Sequence, residues 1–470
     1  MEKVLVTWWF DVEDFVTPEA DDAPKWIAEF FNKRRYKGTF KIVAEKARAL
    51  RRRGRQDVIK AIAKQTVGFH MNIHSIHPTV YEYLKDKTWE AGCKEFERRE
   101  GEGYRLIRKE FGRVACFGHP GPAWAAEAYP ALAKWNIPVY LDSSSILTVN
   151  DKPYWYCNIL NVQVGSNHLR VDGQLDGPDA LEQLKKSYRI IYNRLRKTGP
   201  GIASIVIHPH TLVTKEFWDM LNFANGRNTP KSQYKSSLRP IDDASRRRRD
   251  FLEFVDHTAS LPDSRVVDAF EAAEIYRDDA KTRRFNKRAL LRIVSKTTRR
   301  VGYIRYDGFF LAPSEVLWLT ASALAGYAER KRIPNNSRII PIVGPSRRAE
   351  TRGPRTLCLS EFLDASVSIR DQIRSERKVP DLVRIGPTTL SPVDYLGTST
   401  KILQILLEKR KLPSVLVAQR ARLENEKYIN MSAFHKAFKW YVLPRGFKAL
   451  NLIEHARLQT WTLKPAVPRK

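Results

Sequence analysis

Apolar residues in the first 275 positions gather in short runs, each followed by a stretch in which they recur at helical spacing. Residues 4–10 are β-branched and aromatic and read as a strand, and residues 26–34 follow as a helix. Residues 38–43 and 66–69 read as two more strands, with a helix over 57–64 between them. Further strands are predicted at 114–117, 139–141 and 202–207, with a shorter one at 265–267. Strands alternating with helices predict a parallel βα architecture, open or closed into a barrel. In such folds chemistry sits at the C-terminal ends of the strands, so the polar residues just after each apolar run are the ones to inspect. Two stretches break the pattern. Residues 225–250, with the run Arg246-Arg247-Arg248-Arg249, read as a loop; residues 277–300 are densely basic and read as a linker or an amphipathic helix.

Beyond them the pattern repeats. Leu311, Leu357 and Leu390 each have a second Leu six residues on and a Pro 23 residues on, at Pro334, Pro380 and Pro413. Each unit reads as a Ser/Pro-capped helix, a basic turn ending at Pro and a short extended segment. Units this small cannot bury a face alone and are expected to stack on one another.

A chain of 470 residues predicts two or three domains, and 43% hydrophobic residues exclude wholesale disorder. No stretch approaches 18 uncharged apolar residues, so no transmembrane helix is predicted. The N-terminus has no signal-peptide pattern, which makes a cytoplasmic location the default expectation. Cys93, Cys116, Cys157 and Cys358 are far apart and fit reduced thiols better than a disulfide framework. The net charge of +30 is unevenly spread: residues 281–470 hold 38 basic and 14 acidic residues. Such a region is expected to meet something anionic, an acidic wall polymer or a membrane surface, with nucleic acid the weaker candidate.

Candidate chemistry lies just after the predicted strands. Phe10-Asp11-Val12-Glu13-Asp14 ends the first one with three carboxylates; Asp11 and Glu13 share a face by period two, and such crowding calls for a cation or a proton. Three of the ten histidines, His70, His74 and His77, fall within eight residues after the third strand. The pairs His70/His74 and His74/His77 are each spaced to converge on one metal. His119 stands in the turn Phe117-Gly118-His119-Pro120-Gly121-Pro122, and His208 and His210 follow the strand at 202–207. One carboxylate with two imidazoles gives three protein ligands and an open position, the pattern of a catalytic metal. A spare carboxylate and a spare histidine then suit general base and general acid, so metal-assisted hydrolysis is the expected chemistry.

The succession of Phe10-Asp11…Asp14, Gly38-Thr39-Phe40, Ala44-Glu45-Lys46-Ala47, His70/His74/His77-Pro78, the 117–122 turn, Tyr140-Leu141-Asp142-Ser143-Ser144 and Ile207-His208 resembles the NodB-homology polysaccharide deacetylases, carbohydrate esterase family 4. The resemblance covers residues 1–275. It implies an α/β fold, a distorted (β/α) barrel of the polysaccharide deacetylase type followed by a mainly helical repeat region. It also implies one divalent metal, zinc, and removal of N-acetyl groups from the amino sugars of a glycan. On that basis Asp11 is the base and His208 the acid, and Asp14, His70 and His74 hold the metal. Glu13 and His77 are the alternatives, because the family's adjacent Asp pair is interrupted here and Pro78 follows His77. His119, Pro120, Gly121 and Asp142 fall at substrate-binding positions; the turn lacks the family's arginine, and His119 is expected in its place. Relatives of this fold also hydrolyse formamides and cyclic amides, so a small-molecule C–N hydrolase is the alternative activity, and an inactive glycan- or polyanion-binding protein is the third. The repeats resemble pseudomurein-binding repeats, best in the copies at Leu357 and Leu390, which implies a cell-wall glycan-binding module. The expected organisation is a catalytic domain at 1–275, a basic linker at 276–305, the repeats at 306–420 and a basic tail at 421–470.

Overall fold

The computed structural model describes residues 3–141, 145–162, 164–297, 299–409 and 411–469. Ten strands of the first part are β1 (Val4–Val12), β2 (Thr39–Ile42), β3 (Thr66–Phe69), β4 (Val114–Phe117), β5 (Val139–Leu141), β6 (Tyr154–Tyr156), β7 (Ile159–Val162), β8 (His168–Arg170), β9 (Gly201–Ile207) and β10 (Ser264–Val266). They form one curled sheet in the order β6-β7-β5-β4-β3-β2-β1-β9-β8. All neighbours along this path are parallel except β6 and β7. Strand β10 runs parallel to the first residues of β1. Among the described residues β8 has no partner on its outer edge, so the barrel stays open there.

Strand β1 lies at the centre and is buried on both faces, as its unbroken apolar run predicts. Val4, Val6, Trp8, Phe10 and Val12 point outward to the helices. Trp8 meets Phe251 and Phe254 edge-on, at ring-centroid distances of 5.6 and 5.7 Å. Leu5 and Trp9 point inward, to a core with Cys116, Leu141 and Val206. Period two carries Asp11 and then Glu13 onto that inward face, at the C-terminal mouth of the sheet.

Several expectations change. The arginine run lies in a helix, Ile241–Ser260, because Asp243 and Asp250 pair with Arg246 while Phe251, Phe254 and Val255 face the core. Strands β6, β7 and β8 are additional: Asn158 and Asn161 interrupt the apolar residues of β6 and β7, and β8 carries His168 and Arg170. The stretch at 276–305 is folded: Phe285, Leu290 and Ile293 enter a second hydrophobic core with the repeats. Each repeat supplies an 18-residue helix beginning two residues after its first Leu: Pro313–Arg330, Leu359–Glu376 and Pro392–Lys409. The first two end on left-handed caps at Lys331 and Arg377, the basic turn before Pro. The segment expected as a tail returns to the first domain. Phe434, Val442, Leu452 and Leu463 join the core of the βα part, and the short strand Lys464–Pro465 pairs antiparallel with β6. No helix among the described residues is long and apolar enough to cross a membrane.

Candidate active site

Sheet register assembles the site. Asp11 on β1 sits opposite Lys41 on β2, and Phe10 opposite Ile207, which puts His208 beside Asp11. Ile42 sits opposite Phe69, so His70 leaves β3 at the same level. The loop after β3 turns back on itself through left-handed conformations at Met71 (φ 71°) and His74 (φ 51°). This brings both imidazoles to one carboxylate, that of Glu13, with His70 Nε2 at 3.2 Å and His74 Nε2 at 3.0 Å from Oε2. All three side chains are buried, and their ligand atoms lie within 4.8 Å of one another. Trp218 Nε1 donates to the other oxygen of Glu13 (3.0 Å).

The tautomers follow from the partners. His70 Nδ1 lies 3.0 Å from the Gly118 carbonyl, which can only accept, so Nδ1 carries the proton. Ser75 Oγ donates to Asp219 Oδ2 (2.9 Å) and therefore accepts from His74 Nδ1 (2.7 Å). In the neutral rings both Nε2 atoms then present lone pairs to Glu13. Burial lowers the His70 pKa, more than Asp11 and Glu13 raise it, and so favours the neutral ring. His74 Nε2 is buried without a hydrogen bond. Burial alone would raise Glu13, but the neighbouring imidazoles of His74, His208 and His70 hold it well below the usual carboxylate range. Two lone pairs facing an ionised carboxylate repel unless a cation lies among them. The donor set, one carboxylate and two imidazoles with their far nitrogens anchored, fits a divalent metal.

Asp14 does not join this group. Strand β1 ends at Val12, and Asp14 turns away to accept the backbone N–H groups of Val16 (2.9 Å) and Thr17 (3.0 Å). His77 is also elsewhere: its Nδ1 pairs with Glu82 (2.6 Å) and its Nε2 lies 3.1 Å from the Phe223 carbonyl. The geometric choice among the alternatives is therefore Glu13 with His70 and His74.

Asp11 and His208 flank the group, with Asp11 Oδ2 3.6 Å from His208 Nε2. The Lys41 ammonium, fully buried, pairs with Asp11 Oδ1 at 2.9 Å and leaves Oδ2 toward the cleft. Its side chain needs Gly118, where a Cβ would fall 2.6 Å from Nζ. His208 Nδ1 is tied to Asp172 Oδ2 (2.6 Å). Burial would lower this imidazole, but the carboxylates of Asp172 and Glu13 outweigh it and push it up to about 9. His210 is buried behind, edge-on to Phe217 (4.9 Å), and does not line the cleft.

The cleft holds about 550 Å³ and is lined by Asp11, Glu13, His74, His119, Gly121, His208 and, from the C-terminal segment, Trp440 and Tyr441. His119 Nδ1 lies 3.2 Å from the Tyr140 hydroxyl. Gly121 has φ +49° and abuts Trp440, where a Cβ would fall 2.7 Å from the ring. Pro120 stays buried in the turn, off the cleft wall. Asp142 lies outside the described residues. Sequence reasoning missed Lys41, Asp172, Trp218, Asp219 and Tyr441. Lysine inside the apolar run of β2 was the one available signal; Tyr441 stands more than 200 residues from its partner Asp219 and gives none.

A scan of protein-family models and a search of curated proteins return no match to this chain. Solved structures similar to it include a protein assigned as a polysaccharide deacetylase from Mycobacterium smegmatis (15% identity, TM-score 0.39, 58% of this chain and 90% of that one). Puue allantoinase is similar at 14% identity and TM-score 0.39 over 58% and 90%. A Bacillus anthracis pseudoenzyme of the CE4 family, in a mutant form with restored activity, follows at 14% identity and TM-score 0.32 over 57% and 67%. At these values the likeness fixes neither the activity nor the substrate.

Proposed function

We propose that this protein is a metal-dependent hydrolase that removes N-acetyl groups from the amino sugars of a glycan. The observation that carries the reading is the Glu13/His70/His74 group, whose forced tautomers call for a cation, set between Asp11 and His208 at the foot of an aromatic-walled cleft. Glu13, His70 and His74 would hold a divalent metal, zinc by the nature of the donors, which supplies Lewis-acid polarisation of the amide carbonyl. Asp11, fixed through Oδ1 on Lys41, takes the proton of the attacking water at Oδ2. The water oxygen bonds to the acyl carbon, the C–N bond breaks, and His208 gives its proton to the leaving amine. Asp172 keeps His208 oriented and charged for that step. Trp440 and Tyr441 are suited to stack on a sugar ring. The basic, repeat-bearing region at 306–420 is proposed to hold a neighbouring stretch of an acidic wall polymer.

The test is acetate release from N-acetylated oligosaccharides by zinc-reconstituted protein, chelated protein and the Asp11→Asn variant. Release that needs both zinc and Asp11 is expected. Release from small amides or formamides alone would replace the glycan with a small substrate, and release unaffected by chelation would remove the metal from the reading.

A further inference from the structure

A second cleft, of about 510 Å³, adjoins the first, and the two share Trp440 and Tyr441 as their common wall. It is built almost wholly from residues 435–448, and no carboxylate lines it. Three of its lining residues are Lys439, Arg445 and Lys448, all exposed. Among the described residues no ion pair engages them. Some other arginines of the C-terminal third are paired. Arg348 is committed to Glu426 and Glu454, Arg370 to Glu329 and Asp371, and Arg469 to Asp279.

The wall that carries these cations is rigid. Asn225 and Gly226 donate their N–H groups to the carbonyls of Tyr441 (2.8 Å) and Val442 (2.9 Å). Phe447 lies parallel to Tyr81, with ring centroids 6.2 Å apart, and edge-on to Phe438 at 6.0 Å. Three exposed cations without an ion pair on a fixed aromatic wall, beside the candidate catalytic cleft, favour an anion there.

We infer that the substrate is an acidic glycan: the unit beside the N-acetylated sugar carries a carboxylate, which Lys439, Arg445 and Lys448 receive while Trp440 and Tyr441 hold the sugar between the two clefts. This rests on the glycan reading of the catalytic cleft and adds the charge and the position of the neighbouring unit.

The test compares two probes of equal length: a hexasaccharide alternating N-acetylglucosamine with glucuronic acid, and a neutral N-acetylglucosamine hexasaccharide. Binding is read by calorimetry on zinc-loaded full-length protein carrying Asp11→Asn, so that turnover does not intrude. The acidic probe is expected to bind about tenfold tighter at low salt, as three exposed charge contacts would give. That preference should vanish in the Lys439→Gln/Arg445→Gln/Lys448→Gln variant and in about 0.5 M salt, while neutral binding holds. A control variant, Arg347→Gln/Arg352→Gln, should keep it. Equal affinity for the two probes, or a preference that survives the triple substitution, overturns the inference. Parallel acetate release by the unsubstituted enzyme separates the two ideas. Tight acidic binding without release from either probe would sink the deacetylase reading and leave the subsite standing.

Discussion

Glu13 accepts from Trp218 on one oxygen and faces two imidazole nitrogens on the other, so its geometry is set from three sides. Asp14, one residue on, is spent on two backbone N–H groups. The two carboxylates therefore predict different outcomes. Changing a residue that only orients a metal ligand costs about 10–100-fold in affinity, so Glu13→Gln should weaken zinc binding by more than about 100-fold. Asp14→Asn keeps the acceptor oxygen and should leave zinc affinity nearly unchanged. Competition against a chelator of known affinity distinguishes them, and a larger loss in Asp14→Asn would reverse the assignment. This point was half legible in the sequence. Period two already grouped Asp11 with Glu13, and the assignment to Asp14 came with the resemblance, whose adjacent Asp pair is interrupted here. The tautomers were not legible, because the Gly118 carbonyl and Ser75 reach the histidines through the fold.

At the scale of elements, the loop from His70 to His74 is held in place from outside. Glu100, on the helix Trp89–Phe111, accepts from the Asn72 N–H (2.6 Å) and the Tyr83 hydroxyl (3.0 Å). Burial raises its carboxyl, and the hydrogen bonds from Asn72 and Tyr83 only partly oppose this, leaving it at about 7. A carboxyl raised on folding contributes stability that is complete below its unfolded pKa and lost as pH rises through 7. The loss amounts to about 3 kcal/mol. Glu100→Gln keeps the acceptor for Asn72 and removes the titration, so its stability should not fall over that interval. Denaturant titrations at pH 5 and 8 check it, and parallel pH slopes for the two proteins would count against it. The second support comes from the far end of the chain, where Tyr441 donates to Asp219 (2.6 Å), which accepts from Ser75, which orients His74. Tyr441→Phe should weaken zinc binding about tenfold with the fold intact. A matching loss in Trp440→Phe, which breaks no such chain, would argue for general loosening. The strands that carry Asp11, His70, His119 and His208 were readable because each is an apolar run. Strand β8, which leads to Asp172, was not, since two of its three residues are His168 and Arg170.

Over the whole molecule, the equal spacing of the three repeats was a reliable guide, because identical intervals between leucine and proline leave room for the same 18-residue helix each time. Charge was a poorer one. It marked residues 276–305 as a linker and 421–470 as a tail, yet basic side chains at the surface say little about the apolar residues between them, which fill both cores. The joint between those cores is itself polar. Lys464, beside β6 at the sheet edge, is buried between Asp278 (2.8 Å) and Glu315 (2.7 Å), so one ammonium ties the end of the βα part, the first repeat helix and the last strand together. Burial lowers the Lys464 ammonium's pKa, but the two carboxylates outweigh it and keep the ammonium charged. Burial also raises Glu315 despite that partner, so with Lys464 gone this carboxyl takes up a proton readily. Lys464→Met strands two buried carboxylates and should cost about 3–5 kcal/mol at pH 8. At pH 5 the cost should be smaller, because protonation relieves the uncompensated charge. Chemical denaturation of the full chain at both pH values measures the difference. Equal losses at the two pH values would mean that the lysine serves through its aliphatic packing, and that the charge it carries is not what joins the two halves.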